Sequence, residues 1–158
     1  MSEKATLPGP GTVTSVNLSA KKTVRKTRGD EGVLRVDHGF EGDAHAGDWH
    51  RQVSLLAQES IDKMVAKGLD VAAGDFAENI TTVGIDLLAL PIGSVIRVGD
   101  DALMEISQIG KVCHTKCAIY YQAGDCVMPK EGIFAVVRHG GTVRTGDSIV
   151  VEHLEARA

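Results

Sequence analysis

Residues 96–106 read Ile-Arg-Val-Gly-Asp-Asp-Ala-Leu-Met-Glu-Ile, and residues 143–151 read Val-Arg-Thr-Gly-Asp-Ser-Ile-Val-Val. In each, a short β-branched run meets Gly-Asp and a second apolar run follows at once, the pattern of a tight turn that launches a strand. The similarity is too short to be a repeat, but it sets the period of the chain. Working outward, comparable runs lie between turn signals at residues 13–18, 33–37, 53–56, 78–82, 95–98, 103–108, 134–138 and 148–152. Glycine is abundant, at 18 residues, while aromatics make up only 4%. The expected fold class is therefore mainly β, a small barrel or sandwich, with one or two short α-helices. One helix is expected over residues 58–67, which places Ile61, Met64 and Val65 on one face and Gly68 where a left-handed terminating residue belongs. A second short helix would cover residues 120–123.

At 158 residues and 43% hydrophobic content the chain supports one packed core, and no shift in composition marks a second domain. The expected organisation is a flexible stretch over residues 1–10, one domain over 11–152, and a tail over 153–158. A formal net charge of −4 argues against a broad nucleic-acid surface. The local basic group Lys21, Lys22, Arg25, Lys26 and Arg28 reads as a solvated loop. No leader-like apolar run and no membrane-length segment is present, so a cytoplasmic protein without a membrane role is expected. Three cysteines clustered within 14 residues make a poor disulfide framework, and reduced thiols are expected.

Those thiols lie in Gly110-Lys-Val-Cys113-His-Thr-Lys-Cys117-Ala-Ile-Tyr-Tyr-Gln-Ala-Gly124-Asp-Cys126. A sulfur acts as nucleophile or metal ligand only as thiolate, and Lys111, His114 and Lys116 raise that fraction. Three readings stay open: a reactive thiol at Cys113 or Cys117, a zinc site built from Cys113, His114, Cys117 and Cys126, and buried inert sulfurs, which suits Cys126 beside Val127 and Met128. The spacing does not match the usual paired zinc knuckles.

Two other constellations stand out. Residues 37–50, Asp-His-Gly-Phe-Glu-Gly-Asp-Ala-His-Ala-Gly-Asp-Trp-His, are dense in carboxylates and imidazoles. They read as a tight loop held by Asp43 and His45, as a cofactor-contacting loop, or as a divalent-metal hydrolase site. Residues 129–141 form a strand ending in Arg138, His139, Gly140 and Gly141. The two cations would hold a phosphate, or the glycines are a plain hairpin turn with both cations solvated.

The order Gly42-Asp-Ala-His45-Ala-Gly, Val53-Ser-Leu-Leu, Gly74-Asp-Phe-Ala-Glu78-Asn79-Ile, Leu90-Pro-Ile-Gly-Ser-Val-Ile-Arg-Val-Gly-Asp and then the cysteine segment resembles the MOSC domain family, named for the C-terminal domain of molybdenum cofactor sulfurases. The resemblance covers about residues 11–152 and identifies that span as the MOSC domain. It implies a predominantly β, barrel-like fold with a functional cysteine, associated with sulfur carriage, with molybdenum cofactor binding and, in some members, with reduction of N-hydroxylated compounds. By the family pattern Lys116-Cys117-Ala118-Ile119 is the first match to the functional cysteine and Cys113 the second. The chain has Lys where many members have Arg, and it carries extra thiols.

The function so implied is a small protein that binds or services a molybdenum or tungsten pterin cofactor through Cys117, as sulfur carrier through a persulfide or as thiolate ligand to the metal. In that reading Lys111, His114 and Lys116 activate the thiol, Arg138 and His139 hold the pterin phosphate, and Asp43, His45 and Asn79 are further cofactor contacts. Expected partners are a cysteine desulfurase or cofactor-biosynthesis proteins; pyridoxal phosphate is not expected as a cofactor. Two alternatives stand beside it: a molybdenum-dependent reductase of N-hydroxylated bases fed by a separate electron donor, and a non-catalytic β-barrel interaction module.

Overall fold

The computed structural model describes residues 9–19, 26–44, 46–76, 78–110 and 131–156. Among these residues, eleven strands and one α-helix follow in the order β1 (Gly11–Leu18), β2 (Thr27–Gly29), β3 (Glu31–Arg35), β4 (Gly39–Phe40), β5 (Val53–Ala57), α1 (Gln58–Ala66), β6 (Ile80–Val83), β7 (Val95–Val98), β8 (Ala102–Ile109), β9 (Ile133–His139), β10 (Gly141–Arg144) and β11 (Ser148–His153). A short 3-10 helix spans Leu87–Ala89.

Seven of the strands close a barrel in the order β11-β7-β8-β9-β5-β6-β1, with β1 returning to β11 through Gly11 opposite Ile149 and Thr12 opposite Ser148. Closure removes the open edges that a sheet of this size would otherwise expose. Strand β2 adds to the outer side of β1, and β10-β3-β4 form a separate three-stranded sheet. Inward-facing side chains fill the barrel, among them Val13, Leu55, Ile80, Ile96, Met104, Ile106, Ile133, Val137 and Ile149, each at most 1% exposed. Burying a side chain of this size contributes about 1.5–3 kcal/mol. The mainly β barrel with a short helix is thus the architecture that the turn-and-strand period indicates.

One pair departs from the antiparallel rule. Strands β5 and β6 run parallel, Leu55 opposite Ile80, so residues 58–79 must cross over, and they do so with α1. Ile61 and Met64 of α1 pack with Leu56, Val71, Phe76 and Phe134 in a second apolar cluster outside the barrel. Val65 does not join them and is 48% exposed, which corrects the three-residue face expected from periodicity. Gly68 ends the helix at φ +94°, its N–H donating to the Val65 carbonyl. Among the described residues no helix is long and apolar enough to cross a membrane. The expected second helix at residues 120–123 lies outside the described residues.

Two boundaries shift for a physical reason. The strand expected over residues 78–82 begins at Ile80, and just before it the side chains of Glu78 and Asn79 enter a buried network while the Asn79 backbone still bonds Ser54 and Asn17. Gly140 and Gly141 are not a hairpin turn: β9 belongs to the barrel, whereas β10 pairs with β3, so the glycines carry the chain from one sheet to the other. A Cβ on Gly140 would stand 2.6 Å from the Leu34 carbonyl oxygen, so only glycine permits this approach.

Candidate functional site

The register of four adjacent strands places Gln108, Phe134, Ser54 and Asn79 in one row. Gln108 lies opposite Phe134, Phe134 opposite Ser54, and the Asn79 N–H donates to the Ser54 carbonyl at 3.0 Å. At the usual strand spacing three gaps span about 14 Å. Val53 and Leu55 point into the barrel, so the alternate residue Ser54 faces the other way, as Phe134 does in the outer cluster.

The Asn79 end of the row is a buried polar network. The Ser54 N–H and hydroxyl donate to Asn79 Oδ1 at 3.0 and 3.2 Å, and Asn79 Nδ2 donates to the Asn17 carbonyl at 3.2 Å. Asn17 Nδ2 donates in turn to the Glu78 carbonyl and to Thr81 Oγ1. Glu78 Oε2 accepts from the Gly74 N–H at 3.1 Å and from Thr81 Oγ1 at 2.8 Å, while its Oε1 is buried with no partner. Beside them Lys26 Nζ donates to Asp43 Oδ1 at 2.8 Å and to Ser19 Oγ at 3.1 Å, and the Ser19 N–H also donates to Asp43. Both partners of the Lys26–Asp43 pair have fully buried side chains. Lys26 is therefore no part of a solvated basic loop, and that expectation is corrected: an internal carboxylate draws it inside.

Burial acts most strongly on the Asp43 carboxyl and raises its pKa, but the bonds from Lys26, the Ser19 N–H and Asn79 together outweigh it and hold the carboxyl below its ordinary value. Glu78 goes the other way, because desolvation exceeds the help of Gly74 and Thr81 and raises its pKa. A carboxyl whose folded pKa is raised withdraws stability as pH climbs from the unfolded value toward the folded one. Glu78→Gln is therefore expected to raise the thermal midpoint at pH 8 and to leave it nearly unchanged at pH 4. Calorimetry at the two pH values checks this, and equal shifts at both would contradict it.

At its other end the row meets the cysteine segment. Gly110 N–H donates to the Gly132 carbonyl at 2.7 Å, clamping the two ends of residues 111–130 together one step beyond Ile109 opposite Ile133. Gln108 Nε2 donates to the Gly110 carbonyl, so its Oε1 is the acceptor for His50 Nε2–H at 2.8 Å. The Ser107 hydroxyl donates to the His50 carbonyl. Where the segment returns, Glu131 accepts from Ser60 Oγ at 2.6 Å and from Lys63 Nζ at 2.8 Å, fixing it to α1. The loop over the row also carries Trp49 and Arg51. The guanidinium carbon lies 4.9 Å from the Trp49 ring centroid and 5.7 Å from that of Phe134. Its Nε is buried without an acceptor, a state that costs about 1–3 kcal/mol when nothing fills it.

Of the residues singled out from the sequence, the structure brings Asp43 and Asn79 together. Arg138 and His139 stand at the far end of β9, six residues or about 20 Å along the strand from where the cysteine segment rejoins it. Arg138 already pairs with Glu105 at 3.1 Å and Asp37 at 3.6 Å, and His139 Nδ1 faces two carbonyl oxygens, which requires its proton there. His45, Lys111, Cys113, His114, Lys116, Cys117 and Cys126 lie outside the described residues. Among the described residues no three His, Cys, Asp or Glu side chains converge as metal ligands, and the acids of residues 37–43 are paired with Arg138, Arg35 and Lys26. Sequence reasoning missed Glu78, Lys26, Ser54 and Arg51 as members of the site. The one available signal was the Trp49-His50-Arg51 run, an aromatic beside a cation in a glycine-rich loop.

A family model described as "MOSC domain" matches residues 41–150. Among solved structures, the YuaD protein from Bacillus subtilis superposes with a TM-score of 0.74 at 18% identity, over 89% of this chain and 94% of that one. YiiM from Escherichia coli gives 0.64 at 21% identity, over 96% and 72% of the two chains, and YiiM from Geobacillus stearothermophilus gives 0.66 at 19%, over 90% and 75%. At such identities these likenesses establish the fold alone. No curated protein sequence matches the chain.

Proposed function

The chain belongs to the MOSC domain family, which is associated with molybdenum cofactor-related function, and from that membership we propose that it services a molybdenum or tungsten pterin cofactor through a thiol of residues 111–130, Cys117 first and Cys113 second. The observation that carries the reading is the clamp: Gly110 and Gly132 launch and retrieve the cysteine segment two residues beyond the Gln108–Phe134 pair of the row, on the ends of two barrel strands. A rigid scaffold that presents a loop at a fixed place is how folds commonly display reactive groups.

In the carrier form, the Cys117 thiolate attacks the outer sulfur of a persulfide on a cysteine desulfurase. The new bond joins Cys117 to that sulfur, the donor's sulfur–sulfur bond breaks, and the donor cysteine leaves as thiolate. Lys111, His114 and Lys116 supply positive charge that raises the thiolate fraction. In the ligand form the same sulfur would hold the metal, a role that suits a thiolate, which favours soft metals. When bound, such a cofactor supplies a metal centre that exchanges sulfur ligands or electrons. The chain's own contribution is to hold Asn79 and Asp43 rigid through Ser54, Asn17 and Lys26 at the end of the row opposite the segment's base.

Brief alkylation near neutral pH followed by peptide mapping tests the assignment. Cys117 is expected to be labelled fastest, because a cation immediately precedes it. Faster labelling of Cys126 or Cys113 with Cys117 protected would move the role.

A further inference from the structure

Four described arginines, Arg35, Arg97, Arg138 and Arg144, lie within ion-pair distance of a carboxylate. Arg51 is built differently. Two aromatic rings, Trp49 and Phe134, cover its guanidinium at 4.9 and 5.7 Å, and its Nε is buried with no acceptor. Ring faces satisfy the cation's charge but not its hydrogen bonds, because all five N–H donors of a guanidinium lie in its plane. What remains is an in-plane fork whose shape matches two oxygens of one anion.

Its place is as telling as its chemistry. Phe134 is two residues after Gly132 and lies opposite Gln108, which is two before Gly110, so Arg51 stands over the base of the cysteine segment. A cleft of about 400 Å³ lies at the end of β5, beside Glu131. Glu59, Asp86 and Glu131 line it against one cation, Lys63, already paired with Glu131, so it repels an anion.

We propose that Arg51 is the oxyanion-binding residue of this site and takes a tetrahedral phosphate-type group, free or as a monoester, in the plane of its guanidinium beside Trp49 and Phe134. The inference deepens the cofactor reading, since a pterin cofactor carries such a monoester, and it moves that role from Arg138 and His139 to Arg51. Thiol chemistry is no part of it.

Trp49 is the chain's single tryptophan, so its emission reports on the guanidinium it touches. The test titrates the full-length protein with inorganic phosphate and with phenyl phosphate at constant ionic strength, following Trp49 emission and, independently, equilibrium dialysis of labelled phosphate. Wild type should show saturable binding by both measures. Arg51→Gln should weaken it at least tenfold with an unchanged far-ultraviolet spectrum, Arg51→Lys should fall between, and Arg138→Gln should match wild type. Tighter binding of phenyl phosphate would assign the site to a monoester and equal binding to a free oxyanion, either of which upholds Arg51. Wild-type binding in folded Arg51→Gln, or no saturable binding by wild type in either measurement, would overturn the proposal. Loss of binding in Arg51→Gln together with an inert Cys117 would uphold Arg51 and sink the thiol reading; the converse result would do the opposite.

Discussion

Lys26→Met is expected to cost about 3–5 kcal/mol, which for a chain of this size lowers the thermal midpoint by on the order of 10 °C. The reason is what stays behind. Lys26 and Asp43 are 2.8 Å apart with both side chains fully buried, so removing the cation leaves a carboxylate in a low-dielectric interior that keeps the Ser19 N–H and the Asn79 carboxamide but has lost this cation. The effect should depend on pH with a definite sign. In wild type the depressed Asp43 pKa gives stability that is present above the unfolded value and is lost as pH falls through the folded one. Without Lys26 the carboxyl's pKa rises, and the penalty it then imposes vanishes in acid. The gap between the two proteins should thus be widest near pH 7 and narrow toward pH 4. Lys26→Met with Asp43→Asn should recover more than half of the loss, because the amide oxygen still accepts from Ser19 and no charge is left unpaired. A single Lys26→Met that melts within 2 °C of wild type at pH 7, about the smallest shift that one kcal/mol produces, would show that the pair is not buried as described.

Cys117→Ser carries the second large effect, a complete loss of sulfane sulfur on that position. Serine keeps the volume and the hydrogen-bonding capacity of the side chain, but its oxygen neither ionises near neutral pH nor forms a stable bond to the transferred sulfur, so no partial activity remains at that atom. Cys113→Ser should act in the opposite sense. A thiol four residues away can attack a Cys117 persulfide and close a disulfide, releasing the sulfur, so its removal should lengthen the persulfide's lifetime.

The barrel was readable because its strands are punctuated: Gly99-Asp100 and Gly146-Asp147 announce β8 and β11, and β8 alternates buried and half-buried residues, while β5 and β9 are nearly continuous apolar runs. The small sheet was less legible. Its β3 spans Glu31–Arg35, not residues 33–37, and so takes in Gly32. Phe40 explains the glycine, since its ring fills the space that a side chain at residue 32 would take, with a Cβ there only 2.7 Å from Cδ1. That contact joins two strands and has no local signature. The parallel β5–β6 pair was hidden for a similar reason, as strand direction depends on a crossover that a hydrophobic period does not encode.

The site divided along the same line. Asp43 was legible as a polar residue in a glycine-rich loop and Asn79 only through the family resemblance, whereas Lys26 sat in a basic run that composition alone would leave in solvent. Its partner lies 17 residues away, and only the fold makes them neighbours. Arg138 and His139 looked suitable because strand-end cations near a thiol loop can hold an anion, but β9 is long enough to carry them to the opposite end of the barrel from that loop's base. Arg51 was overlooked because its distinguishing property, an unmet in-plane donor between two rings, arises from Phe134, 83 residues further on.

The most direct measurement of the central claim is the mass of the Cys117 peptide after the reduced protein is incubated with a cysteine desulfurase and free cysteine. The account predicts a gain of about 32 Da, one sulfur atom, on Cys117 in wild type, its absence in Cys117→Ser and its longer persistence in Cys113→Ser. An unmodified Cys117 in both wild type and Cys113→Ser, with steady reduction of a hydroxylamine-type substrate by the cofactor-loaded wild type, would contradict sulfur carriage and assign the thiol to a reductase.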